Sequence, residues 1–428
     1  MYPTFIYLAS LRLVIFLMLF VGAAYADDSY LTLAQTIELA QAGNPGLAEI
    51  KARAEALAAI PSQQGALPDP TLNFDTLNVP TNSFSLHQED MTMMDIGFSQ
   101  MIPFPGKLSL KEKAAEQEAL AATDSIAVAR LRLVRDVKQI WWRLFYFDKA
   151  INTINESEQV FQQLIDTAQS RYKVGLGEQQ DVLMSQLELS KLKDEKIELI
   201  GMRHSAEVQL NTLLNRNTDI ETRLPTEAEF KTPTLVIAEL QQQSLQSNPL
   251  FEQHQKMLNV AKTKIEIAQK DFYPDLTLGA SYAVRQNTPT GESRSDFASV
   301  RLSVNLPIYA DQKQSKAVEQ RNSELLQEQY ALQDEHNKIH GEIAATATQY
   351  QHAKQRLALF KHEIIPQTQQ TLSALMAGYP VGKATLSNLL RTQLSLFQYQ
   401  SQYWKSLVET QQLLAELANL IGEELPHD

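Results

Sequence analysis

Few residues in this chain are typed and spaced for chemistry, and those few point to metal ligation. His87, Met91, Met93 and Met94 fall in one short stretch, with Glu89, Asp90 and Asp95 among them. Imidazole and thioether donors suit soft metal ions, and carboxylates suit harder ones. The same methionines also suit a lipid-facing strand, where they act as plain apolar side chains. His336 and His340 are spaced i, i+4, an interval that puts two imidazoles on one helix face. Their Gln- and Lys-rich neighbours favour solvated rings instead. No metal cofactor is therefore expected, nor any other cofactor. The sequence carries no G-x-S-x-G, HExxH or P-loop pattern and no cysteine nucleophile. Its charges spread along amphipathic stretches, so an enzyme is not expected.

The elements that would carry these residues follow an export signal. Arg12 precedes an apolar run over 13–21, and Ala24-Tyr25-Ala26 is an A-x-A cleavage site. Residues 1–26 read as a signal peptide, the run being too short for a spanning helix. No later segment approaches a spanning helix, so any insertion in a membrane must use strands. Absence of cysteine excludes disulfides, thiolate metal sites and lipidation at a cysteine. The formal net charge is −12, and cleavage removes only one basic residue. Nucleic acid is excluded as a partner, since phosphate binding needs a basic face.

The chain is a duplication. Asn44-Pro45 recurs as Asn248-Pro249, and Pro68-Asp69 as Pro274-Asp275. Ile102-Pro103-Phe104 recurs as Leu306-Pro307-Ile308, and Tyr172-Lys173-Val174-Gly175 as Tyr379-Pro380-Val381-Gly382. The stretch 181–187 recurs as 388–394. The spacing is always roughly 204 to 207 residues, in one order. The repeats are assigned to 27–213 and 236–428, joined by the polar, proline-containing segment 214–235. Each predicts a helix, a strand pair (about 71–102 and about 275–307), a long helix, a tight turn and a returning helix.

Alternation of apolar and polar residues marks the strands, clearest over 276–285 and 299–306. Over 72–79 the phase slips between Thr76 and Leu77, which predicts a bulge. Strands of about 9–11 residues match a tilted membrane strand. Four strands cannot close a barrel, and open edges cannot face lipid. The sheet therefore belongs to a soluble sandwich, or several subunits share one barrel. Residues 108–170 contain no proline and predict a helix of roughly 95 Å. Its counterpart, about 312–377, is interrupted by Pro366, a kink. Return helices over 178–214 and 385–422 make two hairpins, with Gly175 and Gly382 at the same end. Helices this long with mixed faces need lateral neighbours but not burial all round.

This ordered set, with Ile102-Pro103-Phe104-Pro105-Gly106-Lys107 at a strand-to-helix junction, resembles the TolC family of outer-membrane efflux and secretion channels. The resemblance covers essentially the whole mature chain. It implies a mainly α fold with a membrane β-barrel: a homotrimer with four strands per subunit in a shared barrel, plus a long periplasmic α-helical barrel. It also implies outer-membrane lipid around the strands, and an inner-membrane pump reached through a periplasmic adaptor protein. In the family a tyrosine before the second tip glycine bonds an aspartate on the first hairpin and holds the periplasmic end shut. Tyr379 and Asp181 match. A second arginine–threonine latch is absent, its positions being Ala384 and Gln180. The family's acidic gate ring maps to Asn388 and Arg391, which departs from cation attraction. Adaptor contact maps to Val174, Gly175 and Leu176, with Val381, Gly382 and Lys383. A glycine turn there exposes backbone while apolar flanks dock between partner helices.

The segment 84–107 is similar to the heavy-metal branch of the family, which works with resistance–nodulation–division pumps. The expected cargo is thus heavy-metal cations leaving the periplasm. The expected path is a water-filled tunnel, closed at rest by its tips and opened by adaptor binding. A drug-efflux or type I protein-secretion channel is the alternative within the family. A periplasmic adaptor or scaffold is the alternative of another class. An adaptor, however, carries one hairpin between β-rich modules, whereas this chain predicts two hairpins and little else in strands.

Overall fold

The computed structural model describes residues 30–424; the signal expected at 1–26 lies outside them. The first repeat contains α1 (Leu33–Gly43), α2 (Pro45–Ala58), the short α3 (Ile60–Gly65), β1 (Thr71–Leu77), β2 (Met93–Ile102), α4 (Lys107–Lys173) and α5 (Gln179–Leu213). The second contains α6 (Ile237–Ser247), α7 (Pro249–Lys270), β3 (Leu276–Arg285), β4 (Phe297–Val304), α8 (Gln314–Leu359), a π-helical turn (Phe360–Ile364), α9 (Ile365–Gly378) and α10 (Leu386–Ile421).

The duplicated Asn-Pro pairs have one structural job. Asn44 caps α2, its side chain accepting from Leu47 N–H at 3.0 Å, with Pro45 in the first turn. Asn248 caps α7 likewise, accepting from Leu250 N–H at 2.9 Å. Asparagine at the cap and proline just inside it suit a helix start, where orphan N–H groups need an acceptor. Each asparagine then donates its amide to the end of its own repeat's return helix. Asn44 Nδ2 reaches Leu213 O at 3.0 Å and Asn248 Nδ2 reaches Leu420 O at 2.8 Å. Each pair thereby fastens the start of a repeat to its finish.

Helix α4 is the spine. It packs along α5 in its own hairpin and along α7 and α10 of the other repeat. Its middle carries the main core. Trp141, Trp142 and Phe145 are buried, the two indoles edge to face at 5.0 Å. Trp404 of α10 meets Phe145, and Lys149 lies over both rings. The indole N–H of Trp141 donates to Leu31 O at 3.0 Å, so burying it leaves no orphan donor. The interruption expected at Pro366 takes the form of the π turn just before it. Proline offers no N–H and crowds the carbonyl four residues back, so the ladder shifts register there.

The four strands form one antiparallel sheet in the order β1-β2-β3-β4. Leu72 faces Phe98, which faces Ala280, which faces Val300; Phe74 lines up likewise with Ile96 and Tyr282. One face is therefore continuously apolar. It is also open: Phe74 is 73% and Val300 89% exposed. The other face presents Asn73, Gly97, Ser281 and Ser299. The bulge expected near Thr76 is absent, because β1 pairs without a break from Thr71 to Leu77. The apparent slip is a threonine on the apolar face and a leucine at the end of the polar one. β1 is also shorter than expected, at 7 residues, and β4 has 8. β1 stops because Asn78 turns to a φ of 55°, held by its Nδ2 donating to Met91 O and its carbonyl accepting from Thr92 Oγ1. No described helix is long and apolar enough to cross a membrane.

Candidate functional site: the paired hairpin tips

The two hairpins end in turns of one design. After α4, Gly175 takes a φ of 74°, and Leu176 N–H donates to Arg171 O at 2.8 Å. After α9, Gly382 takes 76°, and Lys383 N–H donates to Gly378 O at 2.9 Å. A left-handed glycine is what closes a helix end this way. The apolar flanks Val174, Leu176 and Val381 are each 68% exposed. Gly175, Gly382 and Lys383 are exposed with them. All six tip residues singled out in the sequence thus lie on open surface.

A residue that sequence reasoning missed ties the tips together. Arg171, in the last turn of α4, donates Nη1 to Tyr379 O at 3.0 Å and Pro380 O at 2.8 Å. Its Nη2 donates to Leu176 O at 2.9 Å. The guanidinium sits 5.0 Å from the centre of the Tyr379 ring. One cation thus collects the orphan carbonyls of both turns and covers the tyrosine. The available signal was its place beside Tyr172-Lys173-Val174-Gly175, since a cation at a helix C-terminus meets unsatisfied carbonyls.

Tyr379 is buried, and its hydroxyl has no hydrogen-bond partner among the described residues. The Tyr379–Asp181 hydrogen bond expected from the sequence is therefore not formed within the protomer. Arg171 has taken the tyrosine's ring and backbone, leaving the hydroxyl enclosed but unpaired. Asp181 is still close enough to matter. Burial, then the Asp181 charge, push the Tyr379 phenol up, against the opposing pull of Arg171. Burial, then Glu178, push the Asp181 carboxyl up, with Arg171 again opposing. Asn388 and Arg391 lie exposed near the start of α10, whose first turn is capped by Thr385. Neither joins the Tyr379 cluster, and Arg391 has no ion pair among the described residues.

The methionine–histidine stretch does not converge on a point. Met93 is buried and Met94 exposed, being neighbours on one strand with side chains on opposite faces. Met91 and His87 belong to the preceding loop, and His87 Nδ1 already lies 3.2 Å from Asn287 O. The loop holds a cation of its own. Arg294 Nη2 reaches Asp90 Oδ1 at 2.6 Å, and its Nη1 reaches His87 O at 3.1 Å. A set of four ligands at His87, Met91, Met93 and Met94 is thus excluded by geometry. Among the described residues no group of three or more His, Asp or Glu could hold a metal ion.

A family model described as outer membrane efflux protein matches residues 36–216 and 240–423. The match is in two stretches, broken over 217–239. A curated relative from Haemophilus influenzae, an uncharacterized protein, is 24% identical over 54% of this chain. That match spans 50% of the relative's length. The cobalt-zinc-cadmium resistance protein CzcC of Cupriavidus metallidurans is 21% identical over 75% of each chain. Among solved structures, that of CusC, described by its transmembrane channel formation, aligns over 92% of each chain. Its TM-score is 0.78 at 16% sequence identity, a likeness of fold.

Proposed function

The chain belongs to the outer membrane efflux protein family, and on that premise we propose that it is the outer-membrane channel subunit of a tripartite efflux system carrying heavy-metal cations. Channels of this family form trimers and work in tripartite systems. The observation that carries the reading is the sheet: four strands, one open apolar face, one polar face, and two unpaired edges. Such a sheet is unfinished in lipid until its edges are paired. Three copies edge to edge would supply a twelve-stranded barrel with apolar residues outward. The two hairpins of each copy would extend it into the periplasm as a helical wall. The metal cargo is supported by the likeness to CzcC.

In this reading residues 1–26 are removed on export, and 27–213 and 236–428 are two structural repeats joined by 214–235. The periplasmic adaptor docks on Val174, Gly175, Leu176, Val381, Gly382 and Lys383, and the adaptor links the channel to an inner-membrane pump. Tyr379, Asp181, Asn388 and Arg391 belong to the periplasmic gate, with Arg171 setting the distance between the tips that carry them. The protein catalyses no reaction; it offers a path that opens when the return helices shift. The test is a strain lacking the protein, grown on graded cobalt, zinc, cadmium, dyes and antibiotics. Sensitivity confined to the metals is expected. Sensitivity to dyes and antibiotics with metal tolerance intact would replace the metal reading with drug efflux, and no sensitivity at all would point to protein secretion.

A further inference from the structure

Away from the tips and the sheet, α8 carries two histidines that the channel reading does not use. His336 and His340 are one turn apart, with ring centres 5.1 Å from each other. His336 also packs on Phe251 of α7 at 4.7 Å. His340 is fastened from behind, its carbonyl accepting from Gln241 Nε2 of α6 at 3.1 Å. The Nε2 atom of His340 is shut from solvent and has no hydrogen-bond partner among the described residues. Buried ring nitrogens are normally satisfied, because a desolvated polar atom without a partner is costly. Both histidines are half-buried, so the solvated pair expected from the Gln- and Lys-rich sequence holds in part, with one ring nitrogen enclosed. Folding places Phe251 and α6 over that part of the helix.

We propose that His336 and His340 form a two-imidazole site for one borderline transition-metal ion, of the Cu²⁺ or Zn²⁺ class, in each protomer. The i, i+4 spacing points both rings from one face, as two helical histidines do in metal sites. The donor set is nitrogen only, since no cluster with carboxylates is present among the described residues. Nitrogen donors favour Cu²⁺, Zn²⁺ or Ni²⁺ over Ca²⁺ and Mg²⁺, which take oxygen ligands. His336 is only partly buried, so an ion from solvent meets that ring first. The site lies in the helical wall, and binding to it does not depend on what the channel exports.

The full chain in detergent, titrated calorimetrically with Cu²⁺ and with Zn²⁺ near neutral pH, tests this. One ion per chain is expected. His336→Gln and His340→Gln are each expected to weaken binding by about tenfold or more, as losing one of two ligands should. His254→Gln, on α7 outside the pair, is expected to bind as the parent does. X-ray absorption of the ion-loaded parent protein needs no variant. It is expected to show two imidazoles at roughly 2.0 Å. No stoichiometric binding, binding unchanged in both Gln variants, or a spectrum without two imidazoles would overturn the site.

Discussion

Replacing Arg171 with alanine removes the only side chain seen to bond the backbones of both hairpin tips among the described residues. Two of its hydrogen bonds cross from the first tip to the second, at 3.0 and 2.8 Å. Arg171 is only partly buried, so water replaces some of what is lost. Each crossing bond is then worth about 1 kcal/mol net. The contact with the Tyr379 ring adds about 0.5 kcal/mol at such a site. The sum, about 2.5 kcal/mol, corresponds to roughly a sixtyfold rise in the population with separated tips. The chain has no cysteine, so spin labels at Lys173→Cys and Ala377→Cys report the tip distance without background. Arg171→Ala is expected to broaden that distribution and add a longer distance. Arg171→Lys, which cannot fork between carbonyls, is expected to fall between the two. A distribution in Arg171→Ala that matches the parent would refute the clamp.

The Asp181 carboxyl is pushed up by burial and by Glu178, so its ionised form is disfavoured in the fold. Its contribution therefore falls as pH rises from the ordinary carboxylate range through the raised Asp181 value. The same labels should show tighter tips at the acid end of that window, and Asp181→Asn should flatten this component. Lys107 is buried against Asp271 at 2.9 Å and Asp275 at 3.0 Å, the latter also accepting from Phe104 N–H. Lys107→Ala would leave two carboxylates facing each other at the junction of strand and helix. A loss of about 3 kcal/mol is expected, read as a lowered melting temperature. Gly422 and Gly382 both have positive φ, but a Cβ on Gly422 would sit 2.5 Å from Asn248 Cα, whereas one on Gly382 meets nothing within 4 Å. Gly382→Ala is expected to cost about 1 kcal/mol from backbone conformation alone. Gly422→Ala should cost at least about 3 kcal/mol, because the Asn248 cap must move. Equal melting temperatures for the two would contradict the close approach.

The parts legible in sequence were those written in periodicity or in paired motifs. The Asn-Pro pairs mark helix starts because a cap needs a side-chain acceptor and proline needs no N–H. The alternation over 276–285 gave the faces of β3 because a pleated strand has only two. The tip glycines were legible because few other residues reach a φ near 75°. The Arg171 clamp was hidden, since its acceptors are backbone carbonyls and any residue supplies those. The hydroxyl of Tyr379 was paired with Asp181 by resemblance, while the folded tip gives the tyrosine's ring and carbonyl to Arg171. The methionines of β2 read as one cluster along the chain, but neighbours on a strand point apart. The His336–His340 pair read as solvated, because Phe251 and Gln241 lie far away in sequence.

Native mass spectrometry of the protein released from membranes by detergent decides most directly whether the open four-stranded sheet is one third of a barrel. A particle of three chains that detergent, and not salt, extracts is expected. A single chain released by salt alone would contradict the channel, because a sheet with two free edges and an apolar face would then stand in water unaided.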